Sequence, residues 1–222
     1  VNELDTQMSQ NFFEIGGQNQ IIRRRFKIAA GVIVCKNNTA GVRKQSAFCD
    51  FSCIDSRVIN CSLISAGNVS YRKRLCEYYA QHNINITPED IVVTNGGSEA
   101  LQIAFTICCN PGDEVLIPEP YYTNYNSFAI LSDTVIKTIP SVIDNGFALP
   151  PIEEFEKAIT PKTRAIMVCN PNNPTGYLYT KEELQMLAEL AKKHDLYLFA
   201  DEVYREFCYD GKKHFSVMEL DE

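Results

Sequence analysis

The sequence has no apolar run approaching the roughly 20 residues that a helical membrane span needs, so no such helix is expected. It is poor in histidine: His82, His194 and His214 are the only three, and none stands in a recognisable zinc spacing. No metal is assigned. No CxxC pair occurs either, although the chain holds nine cysteines, an odd number, irregularly spaced and with Cys108 beside Cys109. That pattern suits reduced thiols of the cytoplasm better than a disulfide framework. An excess of positive charge is also missing. The formal net charge of −7 argues against a nucleic-acid binder, which would carry a basic face, and leaves small molecules as the expected partners. Internal repeats and low-complexity tracts are absent. The N-terminus shows no signal-peptide apolar region, in line with a cytoplasmic location, and starts with Val, from which a processed or partial chain is expected.

What the chain does have is enough apolar matter for one sizeable core: 222 residues, 45% of them hydrophobic. Its two parts differ in character. Residues 1–62 show no regular pattern; they hold the basic cluster Arg23-Arg24-Arg25 beside a short apolar run, then a stretch sprinkled with cysteine. The cluster could be an anion site, but a solvated segment is the plainer reading. From about Val69 onward, short apolar runs alternate with helix-period segments. "SYRKRLCEYYAQHN" spaces Leu75, Tyr78 and Tyr79 as a helix does, and Ile91 to Thr94 reads as a short strand breaking on two glycines. "EVLIPEP", "TVIKTIP", "TRAIMVCN" and "LYLFADEVY" read as further strands, while "SEALQIAFTICC", "YYTNYNSFAIL", "PPIEEFEKAI" and the Thr-capped "TKEELQMLAELAKKHD" read as helices. Such alternation implies an α/β fold, a three-layer αβα sandwich with a mainly parallel sheet and its ligand crevice at the carboxyl ends of the strands.

Four polar clusters fall at that edge. Gly96-Gly97-Ser98-Glu99 could be a mere strand-to-helix turn, or a helix N-terminus whose amides hold phosphate. The aromatics of Glu119-Pro120-Tyr121-Tyr122 could belong to the core or stack on a flat ring. Asn170 to Gly176, "NPNNPTG", is a stiff polar corner straight after a buried strand. Asp201-Glu202-Val203-Tyr204 could be a surface acidic pair, yet Asp201 follows the apolar "LYLFA", and a carboxylate against such a wall wants a cationic partner. Jointly they describe a ligand with a phosphate, a flat ring, a cationic ring atom and an anionic oxygen, and pyridoxal phosphate has all four.

"GGSEAL", "NPNNPTG" and "ADEVY", in this order and at these separations, resemble the class I/II aminotransferases of PLP fold type I, from about Ser65 to the end. The resemblance implies that Gly97, Ser98 and Glu99 form a phosphate-binding turn and that Tyr122 lies over the pyridine ring. It implies that Asn173, before a Pro174 often joined by a cis peptide, hydrogen-bonds the phenolic oxygen, so the corner would be a rigid mount for one amide. Asp201 is similar to the carboxylate that pairs with the pyridine nitrogen, and Tyr204 to the phenol that reaches the same oxygen as Asn173. The resemblance further implies transfer of an amino group from an amino acid to a 2-oxo acid, and a homodimer.

Two departures follow. The family's Schiff-base lysine is expected beyond Glu222, so no catalytic residue is assigned; Lys212 and Lys213 come too soon after Tyr204 and read as loop residues. The substrate-binding arginine and the small domain are likewise expected beyond the end, so a fragment, inactive alone, is the expectation. Residues 1–62 match poorly, with no tyrosine in "VINCSLI", and a frame error or divergent fragment is the expected cause. The domain reading is therefore 1–62, atypical, and 63–222, a cofactor-binding large domain. Competing readings are another fold type I enzyme such as a carbon–sulfur lyase, and an inactive, sensor-like cofactor-binding domain. Substrate choice lies in the unmatched parts.

Overall fold

The computed structural model of the chain describes residues 66–220, together with the backbone of two strands at 26–29 and 32–36. The Arg23–Arg25 cluster and "VINCSLI" lie outside the described residues. Seven strands make one sheet: β1 (Phe26–Ala29), β2 (Val32–Lys36), β3 (Val92–Val93), β4 (Glu114–Glu119), β5 (Val135–Pro140), β6 (Thr163–Cys169) and β7 (Tyr197–Asp201). Their order is β3-β1-β2-β7-β6-β4-β5. The β7-β6-β4-β5 half is parallel throughout, and β1 runs parallel to β3, while β2 is antiparallel to both neighbours. The sheet is thus mainly parallel, as its helical crossovers require. "FKIA" and "VIVCK", from the stretch that shows no regular pattern, lie in the middle of this sheet.

Five helices are described: α1 (Val69–Ala80), α2 (Gly97–Cys108), α3 (Tyr125–Leu131), α4 (Ile152–Ala158) and α5 (Lys181–Lys193). The two-residue period of a strand sorts the core into two layers. Ala165, Met167 and Cys169 of β6 join Tyr197 and Phe199 of β7 on one face, under Leu101, Ala104 and Phe105 of α2 and Tyr125 of α3. Ile166, Val168, Leu198 and Ala200 face the other way, toward Phe155 of α4 and Leu184, Leu187 and Leu190 of α5. Burying one such side chain stabilises by about 1.5–3 kcal/mol, so the two layers supply most of the fold's cohesion. Helix α5 starts where the sequence predicts, with Thr180 Oγ1 accepting from Glu183 N at 3.2 Å and Glu183 Oε2 accepting from Thr180 N at 2.8 Å.

Two boundaries differ from the sequence reading. "YYTNYNSFAIL" is helical only from Tyr125, which leaves Tyr121 and Tyr122 on the connection from β4. "LYLFADEVY" stops being a strand at Asp201: its Oδ1 accepts from Val203 N at 3.3 Å and turns the backbone out of the sheet. Tyr204 therefore stands on a turn at the sheet edge.

Candidate active site

The clusters meet at one place. A cavity of about 160 Å³ opens at the carboxyl ends of the strands, lined by Gly97, Ser98 and Leu101 of α2, Tyr122, Tyr125, Cys169, Asn173, Asp201, Val203 and Tyr204. Six of the seven residues singled out for cofactor contact are in that lining. Gly96 makes the entry possible: its φ of 82° lies in the left-handed region, and α2 begins at the next residue. The amide N–H groups of the first turn have no carbonyl within their own helix to bond, and they point out of its N-terminus. Glu99, the seventh, is exposed and outside the lining; its carboxylate turns back to accept from Asn95 N at 2.6 Å. Its side chain caps the turn, and only its backbone belongs to the helix opening.

The asparagine-rich corner divides its labour. Asn170 is fully buried and acts as a bolt, with Oδ1 accepting from Tyr179 N at 3.1 Å and Nδ2 donating to Phe215 O at 3.0 Å. Asn172 ties the corner to the end of β4, donating from Nδ2 to Pro120 O at 3.1 Å and to Thr175 Oγ1 at 2.8 Å. Asn173 alone of the three lines the cavity, and there its Nδ2 donates to the Tyr204 hydroxyl at 3.2 Å. The Asn173–Pro174 peptide is cis, as are Asn170–Pro171 and Glu119–Pro120.

Asp201 supplies the charge. The strand period places it on the same face as Phe199, in register with Cys169, and it is only 4% exposed. Its Oδ2 accepts from the Tyr125 hydroxyl at 2.8 Å. Burial pushes its carboxyl above the usual range, while Tyr125 and Val203 N act against that push. None of the ion pairs formed by the described residues includes it. A buried carboxylate that has two neutral donors and no cation among the described residues fits a ligand that brings its own positive charge. Pyridoxal phosphate, protonated on its ring nitrogen, is such a ligand.

The second carboxylate of the pair points away. Glu202 is 1% exposed and accepts on Oε1 from Ser216 Oγ at 3.0 Å and Val217 N at 3.1 Å. Arg205 Nη1 lies 3.9 Å from its Oε2, and His214 Nε2 3.8 Å. Neither acid is on the surface, so the reading of the pair as a surface feature fails: one lines the cavity and the other is internal. Lys212 and Lys213 are exposed and outside the cavity lining. Sequence reasoning missed Tyr125 and Cys169. Tyr125 stands three residues after Tyr122, at the first residue of α3, and Cys169 is the last strand residue in phase with Asp201, so their positions carried a signal that only the tertiary structure makes legible.

The comparisons with known proteins agree with this geometry. A model of the family described as aminotransferase class I and II matches residues 48–222. An aspartate/prephenate aminotransferase of Thermus thermophilus is 41% identical over 152 residues, 68% of this chain and 39% of that protein. A glutamate-pyruvate aminotransferase of Escherichia coli is 37% identical over 158 residues, covering 70% and 38%. Among solved structures, the Thermus thermophilus aspartate aminotransferase with maleate superposes with a TM-score of 0.65 at 40% identity, over 69% of this chain and 40% of that one. An alanine aminotransferase from Pyrococcus furiosus gives 0.66 at 34% identity, over 71% and 40%. The chain thus spans about two-fifths of the length of the relatives it matches. With its fold and the ordered motifs that line one cavity, the chain belongs to the class I and II aminotransferase family.

Proposed function

We propose that this chain is the cofactor-binding portion of a pyridoxal-phosphate-dependent aminotransferase, which moves an amino group from an amino acid to a 2-oxo acid. The observation that carries the reading is Asp201, a buried carboxylate without a cationic partner among the described residues, on the wall of a cavity that also holds a helix N-terminus and an amide–phenol pair. The amides at Gly97 and Ser98 would hold the phosphate. Tyr122 would lie against the ring, Asn173 and Tyr204 would donate to its phenolic oxygen, and Asp201 would keep its nitrogen protonated. Bound pyridoxal phosphate supplies an electron sink for the charge left when the α-proton of an amino acid departs. The chain's own part is to anchor, orient and hold that ring proton.

No described residue is given the covalent role, since Lys212 and Lys213 stand away from the cavity. A homodimer and a cytoplasmic location complete the reading; the irregular spacing of the nine cysteines, with no CxxC pair, supports a reducing compartment. A carbon–sulfur lyase is not favoured, because the relatives above are named as aminotransferases.

An absorbance titration with pyridoxal phosphate tests the proposal. Saturable binding to the 222-residue chain, weakened about tenfold or more in Asp201→Ala, is the expected result. Binding that Asp201→Ala leaves unchanged, or no saturable binding, refutes it.

A further inference from the structure

Asp201 shares its wall of the cavity with a side chain that none of the motifs includes. Tyr125 opens α3 with no exposed surface. Its hydroxyl donates to Asp201 Oδ2 at 2.8 Å. Its ring meets Tyr122 edge-on, with centroids 5.5 Å apart and planes at 88°, and stacks parallel to Tyr121 at 6.2 Å. These contacts fix the phenol from both ends.

We propose that Tyr125 is a positioning residue of the cavity, whose neutral hydroxyl holds the Asp201 carboxylate ionised and aimed at a protonated ring nitrogen; this rests on reading the cavity as a pyridoxal phosphate site. Among the described residues Asp201 has two donors, the hydroxyl at 2.8 Å and the longer Val203 amide at 3.3 Å. A donor to an ionised carboxylate favours the charged form, while burial favours the neutral one. Between these two donors, Tyr125 opposes burial the more strongly. A lysine or arginine in its place would also hold the charge, but it would occupy the lone pairs that a ring N–H needs and repel the ring's own charge. A phenol takes a single lone pair of Oδ2 and brings no charge. Burial and the neighbouring Cys169 and Asp201 push the Tyr125 phenol far above its ordinary range, so it stays a donor throughout the working pH range. The titratable groups against Asp201 are Tyr125 from α3 and Cys169 from β6, with Tyr204 also on the cavity wall; Cys169, pushed up to about 12, remains a neutral thiol.

The test is the pH dependence of pyridoxal phosphate binding to the full chain, for wild type, Tyr125→Phe and Asp201→Ala. A parallel series uses the analogue whose ring nitrogen is replaced by carbon. That analogue keeps the phosphate, so its acid limb reports phosphate ionisation alone. Tyr125→Phe keeps the ring and its packing and removes only the donor. We expect its affinity for pyridoxal phosphate to stay within about threefold of wild type at the alkaline end. At the acid end it falls about tenfold, as the limb set by Asp201 moves up by about one unit. The analogue binds wild type and Tyr125→Phe alike. If Tyr125→Phe does not fold, 3-fluorotyrosine at position 125, a stronger donor, moves the same limb to lower pH.

A Tyr125→Phe profile parallel to wild type, whether lowered evenly or unchanged, overturns the inference and leaves the cofactor reading standing. Loss of saturable binding in the wild type, or indifference to Asp201→Ala, overturns both.

Discussion

Glu202 and His214 make stability a function of pH, in opposite senses. Burial pushes Glu202 from its ordinary 4.5 up to about 8, outweighing Arg205, whose guanidinium is 3.9 Å away. Burial, with the Arg205 charge next, pushes His214 from 6.5 down to about 4. For Glu202 the folded state keeps a proton that the unfolded state loses above pH 4.5; stability is fully present below that and is lost as pH rises to about 8. For His214 the unfolded state takes a proton below 6.5 that the folded state refuses, so stability is lost as pH falls toward 4.

Between 4.5 and 6.5 the two slopes cancel, and above 6.5 the Glu202 slope stands alone until about 8. At about 1.4 kcal/mol per pH unit, that window costs the protein about 2 kcal/mol. Glu202→Gln removes the slope and keeps a carbonyl to accept from Ser216 and Val217. Urea unfolding of both proteins from pH 4.5 to 8.5 should show the variant gaining on wild type steadily, by at least about 2 kcal/mol across the range and at most about 5 kcal/mol. Parallel curves would refute the reasoning, because a charge difference that does not vary with pH cannot come from a shifted acid.

Three further outcomes follow from the packing and the site. Thr180→Ala removes the acceptor for Glu183 N, and chemical denaturation should show a loss of about 1 kcal/mol. Gly67→Ala would place a methyl 2.6 Å from the Val93 Cβ at a φ of 89°, and thermal melting should show a loss of about 2 kcal/mol or more; a neutral result would mean that β3 and the turn before α1 yield easily. Borohydride treatment in the presence of pyridoxal phosphate should leave Lys212 and Lys213 without a pyridoxyl group by peptide mass spectrometry, since both are exposed and off the cavity; a stoichiometric adduct on either would show that a lysine of this segment reaches the ring.

Much of the fold is legible because two periods are written into the chain. Ala165 to Cys169 and Leu196 to Ala200 are apolar without a break, as strands buried on both faces must be, and "TKEELQMLAELAKKHD" carries its own cap and stripe. The seven candidate residues are legible as ordered motifs, since strand ends of a parallel sheet converge whatever the helices between them contain. "FKIA" and "VIVCK" are not: each is too short for periodicity to count, and pairing with β3 and β7 decides their state.

The sequence by itself thus determined the layers, the edge on which the cavity opens and the side chains offered there. Only the tertiary structure decided what those side chains do. Glu99 caps its own turn, Asp201 and Glu202 part to opposite sides of one strand end, and Tyr125 reaches Asp201 across 76 residues of sequence. Local pattern reports which face a residue takes, through the alternation of one strand or the turn of one helix. Which donor meets which acceptor depends on the register between strands and the docking of α3 on the sheet, and neither is set by any single segment.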